Sequence, residues 1–234
     1  RRPAMNGRDT TRGPSTANGQ DAVRGRWPAG VALVTGASRG IGAATARRLA
    51  ADGMAVAINS YPDEAMLSAA KHVAAEIEHA GGHAAVYPAD ISDASAVDEL
   101  FTRCEHDLGR VTALVLNAAA TAREPWTDIT EATWDHITNV NLKGAFLCTR
   151  RAFGTTTTTG DASRGSTSNT PMSGGSAGGS AHGTRGGTSG GIVTISSVLA
   201  RLGAPNALHY ATTKAGLLGF TRLGCPLFPG LWTA

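Results

Sequence analysis

Short apolar runs and longer amphipathic stretches alternate along the chain from Val31 onward. Turn residues such as Gly, Asp and Asn bound the apolar runs, and the stretches between them carry apolar residues at helical spacing. This pattern predicts strands at Val31–Thr35, Met54–Ile58, Ala84–Tyr87, Val111–Leu116 and Ile192–Ile195. It predicts helices at Ile41–Ala51 and Asp63–Ala80, from a Ser92 cap to Leu108, from a Thr130 cap to about Phe153, and at Ala207–Leu223. The apolar side of the long helix after Thr130 is expected to include Ile137, Val140 and Phe146.

The predicted strands are apolar on both faces, and each of the first four is followed by a predicted helix. Strands of this kind are typical of parallel sheets that helices cover on both sides. Because the crossovers between parallel strands are right-handed, successive units wind into a doubly wound sheet. We therefore expect an α/β fold class, a Rossmann-like single domain with a doubly wound parallel sheet.

Composition sets three segments apart from the regular pattern. Residues 1–27 are rich in Arg, Gly and Thr without apolar periodicity, and we expect a disordered basic tail. The domain is expected at 28–223. Within it, residues 154–191 include 12 Gly, 7 Ser and 9 Thr, so they cannot bury enough apolar surface to offset their ordering entropy, and we expect a flexible low-complexity insertion. A Gly-Cys-Pro sequence at the start of residues 224–234 is expected to end the last helix and begin a tail outside the domain.

The net charge of +3 originates in the N-terminal tail. Residues 1–27 contain six Arg and two Asp, a net charge of +4, which leaves −1 for the rest of the chain. We therefore expect no nucleic-acid-binding face on the domain. No apolar run approaches the length of about 18 residues that a membrane span requires, and no secretory signal stands near the start, so no membrane partner is expected. A transit peptide stays open as an alternative for the Arg-rich tail.

The three cysteines, Cys104, Cys148 and Cys225, form no C-x-x-C pair and have no neighbouring His cluster at metal-ligand spacing. This usage favours free thiols in a reducing compartment over a disulfide framework. We therefore expect a cytoplasmic protein without a metal site.

A glycine-rich turn connects the first predicted strand to the first predicted helix. Gly36 can make the tight turn, Gly40 lets the backbone approach a pyrophosphate, and Gly42 allows close contact between helix and strand. The start of the helix offers unpaired N–H groups and the positive end of its dipole to phosphates. The loop therefore predicts a dinucleotide site with these candidate cofactor-binding residues: Gly36, Ser38, Arg39, Gly40, Ile41 and Gly42.

The end of the second predicted strand bears on the choice of cofactor. A site for NAD generally carries Asp or Glu there, for the ribose 2′-OH, but this strand ends in Ile58-Asn59-Ser60. Arg39 in the glycine loop offers a guanidinium to a 2′-phosphate instead. We therefore expect NADP(H) as the preferred cofactor, with Asn59 among its contacts and NAD(H) as the alternative.

Two further segments make the chain similar to the short-chain dehydrogenase/reductase family, in particular to its 3-oxoacyl-thioester reductase-like members. One is the Tyr-x-x-x-Lys pair Tyr210 and Lys214, and the other is Ser196-Ser197 at the end of the fifth predicted strand. Ser197 is preferred to Ser196 because it stands 13 residues before the tyrosine, the usual spacing in the family. The resemblance covers about residues 30–223 without the insertion.

The resemblance implies a catalytic set of Asn141, Ser197, Tyr210 and Lys214. Tyr210 would exchange the proton, Lys214 would favour the phenolate and reach the nicotinamide ribose, Ser197 would orient the substrate oxygen, and Asn141 would hold a water on the proton path from Lys214. It also implies cofactor contacts from Asp90, Asn117, Tyr210 and Lys214.

The chain departs from the family pattern at two places. Ala119 replaces a glycine after the fourth strand, which would strain the backbone if that position needed a positive φ. The family continues beyond the Tyr/Lys helix with further strands, so we expect a C-terminally truncated member that lacks the usual last strands and leaves an apolar fifth strand at the sheet edge.

The functional expectation is an NADP(H)-dependent oxidoreductase that interconverts a small-molecule carbonyl and an alcohol by hydride transfer. The alternative is an inactive truncated family member that binds only nucleotide or a partner chain. By resemblance, we expect a homo-oligomer through the two helices that flank the insertion.

Overall fold

The computed structural model describes residues 30–154 and 191–227, with side chains as far as Arg222. Its described strands are β1 Val31–Val34, β2 Ala55–Ser60, β3 His83–Pro88, β4 Val111–Leu116 and β5 Gly191–Thr194. The five predicted strands are confirmed, with ends that differ by at most two residues. The described helices are α1 Gly40–Ala51, α2 Glu64–His79, α3 Ala94–Asp107, α4 Glu131–Thr138, α5 Gly144–Phe153, α6 Leu199–Leu202 and α7 Leu208–Leu227.

The strands form one parallel sheet in the order β3-β2-β1-β4-β5. The chain moves outward from β1 to β3 on one side, then returns past β1 to build β4 and β5 on the other. Such a reversal opens a crevice at the carboxyl ends of the strands next to the reversal, where ligands bind in this class of sheet. The doubly wound, Rossmann-like α/β fold is therefore confirmed.

Helices cover both faces of the sheet, because successive side chains of a strand point to opposite faces. Leu33 packs into a core with α3, α5 and α7, whereas the next residue, Val34, packs into a second core with α1 and α2. Both residues are fully buried. β1 and β2 are thus buried along their whole length, and they anchor the sheet that carries the crevice.

Local capping corrects one predicted helix start. Asp93, and not Ser92, caps α3, since its carboxylate accepts the amide of Ala96 at 2.9 Å. The Ser92 hydroxyl donates instead to Asp90 at 2.7 Å. Thr130 caps α4 as predicted, and its Oγ1 accepts the amide of Thr133 at 3.1 Å.

The long helix predicted after Thr130 is interrupted by a π-helical turn at Asn139–Lys143, between α4 and α5. A π turn accommodates an extra residue and so rotates the following helix relative to the preceding one. Phe146, which the periodicity placed on the apolar side, is consequently 47% exposed, with the Arg150 guanidinium 5.1 Å from its ring centroid. The π turn lies at the candidate site.

The last helix is longer than predicted. It continues through Gly224-Cys225-Pro226 to Leu227, so the prediction that this sequence ends it is wrong. A proline disrupts a helix most in its interior, and Pro226 stands only one residue before the helix ends. The short helix α6 was not predicted.

The predicted tail at 1–27, the insertion at 154–191 apart from its two end residues, and residues 228–234 lie outside the described part of the chain. In the described ranges, β5 forms one edge of the sheet, with Val193 44% exposed. No helix within those ranges has the length and apolarity needed to cross a membrane.

Candidate functional site

Two neighbouring cavities lie along the carboxyl ends of the strands. The first, of about 530 Å³, is lined by residues at or after the ends of β1, β2, β3 and β4, including Ser38, Asn59 and Asp90. The second, of about 440 Å³, is lined by residues that follow β4 and β5 and by Tyr210 of α7. The lining of the first reaches Ala120 and that of the second includes Thr121, so the two cavities adjoin.

The glycine loop forms one wall of the first cavity. Gly36 and Gly40 have φ values of 62° and 57°, in the left-handed region that favours glycine. A Cβ at Gly36 would lie 2.8 Å from the Cα of Ala118, so this position excludes any other residue. Helix α1 begins at Gly40 without the side-chain cap that α2, α3 and α4 have, and no acidic residue lies in its first turn. Its free amide groups and dipole therefore suit a phosphate group.

Asn117 fastens the glycine loop to the end of β4. Its Nδ2 donates to the carbonyl oxygens of Thr35 and Gly36, both at 3.0 Å. A Cβ at Gly42 would lie 2.5 Å from this Nδ2 and 2.6 Å from the Gly36 oxygen. Gly42 thus permits the close packing of α1 against the loop, and Asn117 maintains the shape of the loop while also lining the cavity.

Arg39 is the one Arg or Lys side chain among the described residues that line the first cavity, and it is exposed. Asn59 lines the same region but is only 2% exposed, and its Nδ2 donates to the Tyr87 and Ala89 carbonyls at 3.2 Å. Its side chain therefore ties β2 to β3 and leaves the charge of Arg39 as the main feature that could attract a 2′-phosphate.

The described hydrogen bonds to the Asp90 carboxylate engage one of its two oxygens. Its Oδ1 accepts both the amide of Ser92 at 2.9 Å and the Ser92 hydroxyl at 2.7 Å. These bonds fix the carboxylate in the lining of the first cavity. The second oxygen is then available to accept a bond from an exocyclic amine, the contact the resemblance implies for adenine.

Tyr210 and Ser197 line the second cavity together. The Ser197 Oγ accepts the amide of Leu199 at 3.2 Å, which leaves its own hydroxyl hydrogen for another acceptor. Ser196 instead donates to the Lys214 carbonyl at 2.7 Å. This geometry supports the choice of Ser197 over Ser196.

Lys214 lies behind the Tyr210 ring and is 2% exposed. Its Nζ is 5.7 Å from the ring centroid and donates to the Ile195 carbonyl at 2.7 Å. Burial disfavours the ammonium form and lowers the pKa of Lys214 to about 8. The ammonium retains two further donors after the bond to Ile195, since it carries three N–H groups.

Asn141 lies in the π turn and is 2% exposed. Its Oδ1 accepts the Ala120 amide at 2.8 Å, and its Nδ2 donates to the Ala120 carbonyl at 3.0 Å and the Thr213 hydroxyl at 2.9 Å. Both amide hydrogens are therefore engaged. The side chain clamps the loop after β4 to α7 at Thr213, one residue before Lys214.

A buried histidine beside the tyrosine was not predicted. The His209 side chain is 0% exposed; its Nδ1 accepts the Tyr210 amide at 2.8 Å and its Nε2 lies 3.3 Å from Glu124 Oε1. Since Nδ1 accepts, the proton of a neutral ring is on Nε2 and points to Glu124. The Glu124 amide also donates to the Asn206 carbonyl at 3.1 Å. The loop after β4 is thus attached to the start of α7.

Several cavity residues escaped sequence reasoning. The first cavity also includes Tyr61, Asp63, Met66, His136 and Val140, and the second includes Thr121 and Arg123. For the residues in the loops after β2 and β4, their position beyond the carboxyl end of a strand was the signal that could have found them. The predicted residues that line neither cavity are Gly40, Ile41, Gly42, Asn141 and Lys214; Ile41 is 63% exposed at the start of α1. Ala119 is unstrained, because no non-glycine residue among those described has a positive φ.

The two described cysteines are core residues. Cys104 and Cys148 are fully buried, and burial raises the pKa of each thiol to about 12. Both thiols are therefore neutral and unreactive at neutral pH.

Comparisons with known proteins agree with this geometry. A family model described as short chain dehydrogenase matches residues 30–170. The short-chain dehydrogenase/reductase eriH of Hericium erinaceus is 40% identical over 123 residues, 53% of this chain and 49% of that protein. The 3-oxoacyl-[acyl-carrier-protein] reductase of Synechocystis is 35% identical over 192 residues, 82% of this chain and 65% of that protein.

A blue fluorescent protein from a metagenomic library, solved in complex with NADPH, superposes with a TM-score of 0.67 and 29% identity over 86% of this chain and 69% of that one. The chain thus spans about half to two thirds of the length of the curated relatives it matches.

Proposed function

Because the chain belongs to the short-chain dehydrogenase family, we propose that it is an oxidoreductase that interconverts a carbonyl and an alcohol with NADP(H) as preferred cofactor. The observation that carries the proposal is the shared lining of the second cavity by Tyr210 and Ser197, with the buried ammonium of Lys214 behind the ring. This cavity adjoins the first one, whose glycine loop suits a dinucleotide.

The residues present fit the cofactor. The uncapped start of α1 offers amide groups to the pyrophosphate, Arg39 offers a cation to the 2′-phosphate, and Asp90 offers an acceptor to the adenine amine. Lys214 keeps donors for the nicotinamide ribose. When bound, NADPH supplies the hydride that reduces the carbonyl carbon.

In the proposed reduction, Tyr210 donates its phenolic proton to the oxygen of the carbonyl as negative charge develops there. A tyrosine has a free pKa of about 10, and matching it to neutral pH takes about 4 kcal/mol of preferential stabilisation of the phenolate. The Lys214 ammonium behind the ring supplies positive charge in a site with little solvent, where an ionic interaction is strong. Ser197 donates its free hydroxyl hydrogen to the same substrate oxygen and orients it.

Asn141 positions the elements that carry the catalytic residues. Its bonds to Ala120 and Thr213 hold the loop after β4 against the helix that carries Tyr210 and Lys214. We propose this clamp as its role in the chain, alongside the water-holding role that the resemblance implies. A homo-oligomer through α5 and α7 stays a prediction.

Substitution of Tyr210 by Phe tests the function. Tyr210→Phe removes the proton donor and keeps the ring, so we expect carbonyl reduction to fall by a factor of about 1,000 or more, while NADPH affinity in a fluorescence titration is retained. Tyr87→Phe is the matched control, because Tyr87 lines neither cavity and its hydroxyl bonds Asp107 at 3.1 Å.

Retained turnover in Tyr210→Phe would remove Tyr210 from the proton-donor role. If the unsubstituted chain binds NADPH but reduces none of a broad panel of ketones, aldehydes and oxoacyl thioesters, the alternative of a nucleotide-binding chain without turnover is correct.

A further inference from the structure

The second cavity carries one feature that the proposed chemistry does not use. Of the described residues that line it, only Arg123 bears a charge; apart from the catalytic pair, the others are Thr121, Asn206 and the apolar Leu199, Ala204, Pro205 and Ala207. Hydride transfer and protonation need no such cation there. An arginine in the lining of a substrate cavity points to a recognition function.

Arg123 has no acidic partner among the described residues. Its sequence neighbour Glu124 is the nearest carboxylate along the chain, but Glu124 is engaged by the buried His209 at 3.3 Å and by the backbone of Asn206. These contacts attach residue 124 to the start of α7 at both its side chain and its amide. The guanidinium beside it is therefore left without a neutralising anion inside the described structure.

The same contacts set the position of Arg123 relative to the proton donor. His209 accepts the amide of Tyr210 and faces Glu124, so one rigid chain of bonds runs from the tyrosine backbone to the residue next to the arginine. Arg123 and Tyr210 both line the second cavity, of about 440 Å³, so a small molecule that fills this cavity would contact both side chains. The planar guanidinium matches a carboxylate with two parallel hydrogen bonds.

We propose that Arg123 selects substrates that carry a carboxylate within the same small molecule as the reacting carbonyl, so that the chain acts on short oxo acids or the corresponding hydroxy acids. This rests on the proposed carbonyl–alcohol chemistry and adds its substrate class. Arg123 binds the carboxylate, and the carbonyl end lies against Tyr210 and Ser197.

The test compares short straight-chain oxo acids of graded length with their neutral methyl esters, in the unsubstituted chain and in Arg123→Gln. A charge-assisted hydrogen bond from an exposed arginine such as Arg123 contributes up to about a tenfold preference. We expect kcat/KM for the best acid to exceed that for its ester about tenfold, mainly through KM, and this ratio to fall toward one in Arg123→Gln. Arg201→Gln is the matched control, since Arg201 is an exposed arginine of α6 outside the cavity lining, and it should keep the ratio.

An acid-to-ester ratio near one in the unsubstituted chain, or a preference that survives in Arg123→Gln, would overturn the proposal while leaving the oxidoreductase function intact. If Arg123→Gln loses activity toward a coenzyme A thioester while its activity toward the oxo acids is unchanged, the proposal is also overturned. The anion that Arg123 binds would then be a phosphate remote from the reacting carbonyl.

Calorimetric titration of the best oxo acid onto the NADP⁺-loaded protein is independent of turnover. Binding that Arg123→Gln weakens about tenfold supports the carboxylate site even if no carbonyl is reduced; absence of binding contradicts it.

Discussion

Burial of Lys214 predicts a pH dependence of stability that a single substitution removes. The side chain is 2% exposed, and desolvation lowers its pKa from 10.5 to about 8 in the folded chain. Between pH 8 and pH 10.5, Lys214 is therefore mostly protonated in the unfolded chain and mostly deprotonated in the folded chain. Stability rises with pH wherever the unfolded state holds more protons, so the cost of the buried ammonium is largest below pH 8 and disappears above pH 10.5.

The size of the effect follows from the two pKa values. Each unit of pKa difference corresponds to about 1.36 kcal/mol, and the linkage relation between pH 7 and pH 10 gives a gain of about 2 to 3 kcal/mol in the free energy of unfolding from this one group. Lys214→Met keeps a long flexible side chain and removes the charge. The free energy of unfolding of the unsubstituted chain should therefore rise by about 2 to 3 kcal/mol relative to Lys214→Met over that range.

Urea unfolding at intervals of pH, without cofactor, measures this difference. Subtraction cancels the titration of all other groups, because both chains share them. Lys71→Met is the matched control, since Lys71 is exposed on α2 and its substitution should give a curve parallel to that of the unsubstituted chain. If the Lys214→Met curve is also parallel to it, the lysine is not desolvated and the argument for a strong interaction with the Tyr210 phenolate fails.

Two further outcomes test the cofactor site. Arg39→Ala should weaken NADPH about tenfold and NADH much less, because only NADPH presents a 2′-phosphate; equal losses in parallel fluorescence titrations would refute this cofactor preference. Gly42→Ala should lower the free energy of unfolding by about 1 to 3 kcal/mol and weaken NADPH, because its Cβ would lie 2.5 Å from Asn117 Nδ2. Gly219→Ala, whose Cβ meets nothing within 4 Å on α7, should instead stabilise the chain by about 0.5 to 1 kcal/mol, and urea unfolding that ranks the two alanines equally would contradict the packing explanation.

Local patterns in the sequence were enough to predict the strands and the glycine loop. Strands buried on both faces read as continuous apolar runs, and β4 was predicted with its observed bounds, Val111–Leu116. The loop from Gly36 to Gly42 was predictable because a tight turn of the backbone, with positive φ at Gly36 and Gly40, requires glycine. Ser197 was distinguished from Ser196 by its spacing to Tyr210, and the hydrogen bonds of the two hydroxyls support that choice.

Errors arose where a residue's partner is distant in sequence or where neighbours compete. Ser92 and Asp93 are both capping residues, and only the folded loop, in which Ser92 bonds Asp90, decides between them. The π turn at Asn139–Lys143 left no signal in the apolar periodicity, and Phe146 was therefore placed on the wrong side.

The sequence by itself determined the sheet, the glycine loop and the residue types of the candidate site, because these depend on backbone geometry and on spacing along one strand or one helix. Only the tertiary structure decided how the site is supported and charged. Asn141 reaches Thr213 across 72 positions, and Glu124 reaches His209 across 85. Burial, which depends on such distant contacts, sets the pKa of Lys214. The folded loop after β4 places Arg123 in the lining of the second cavity.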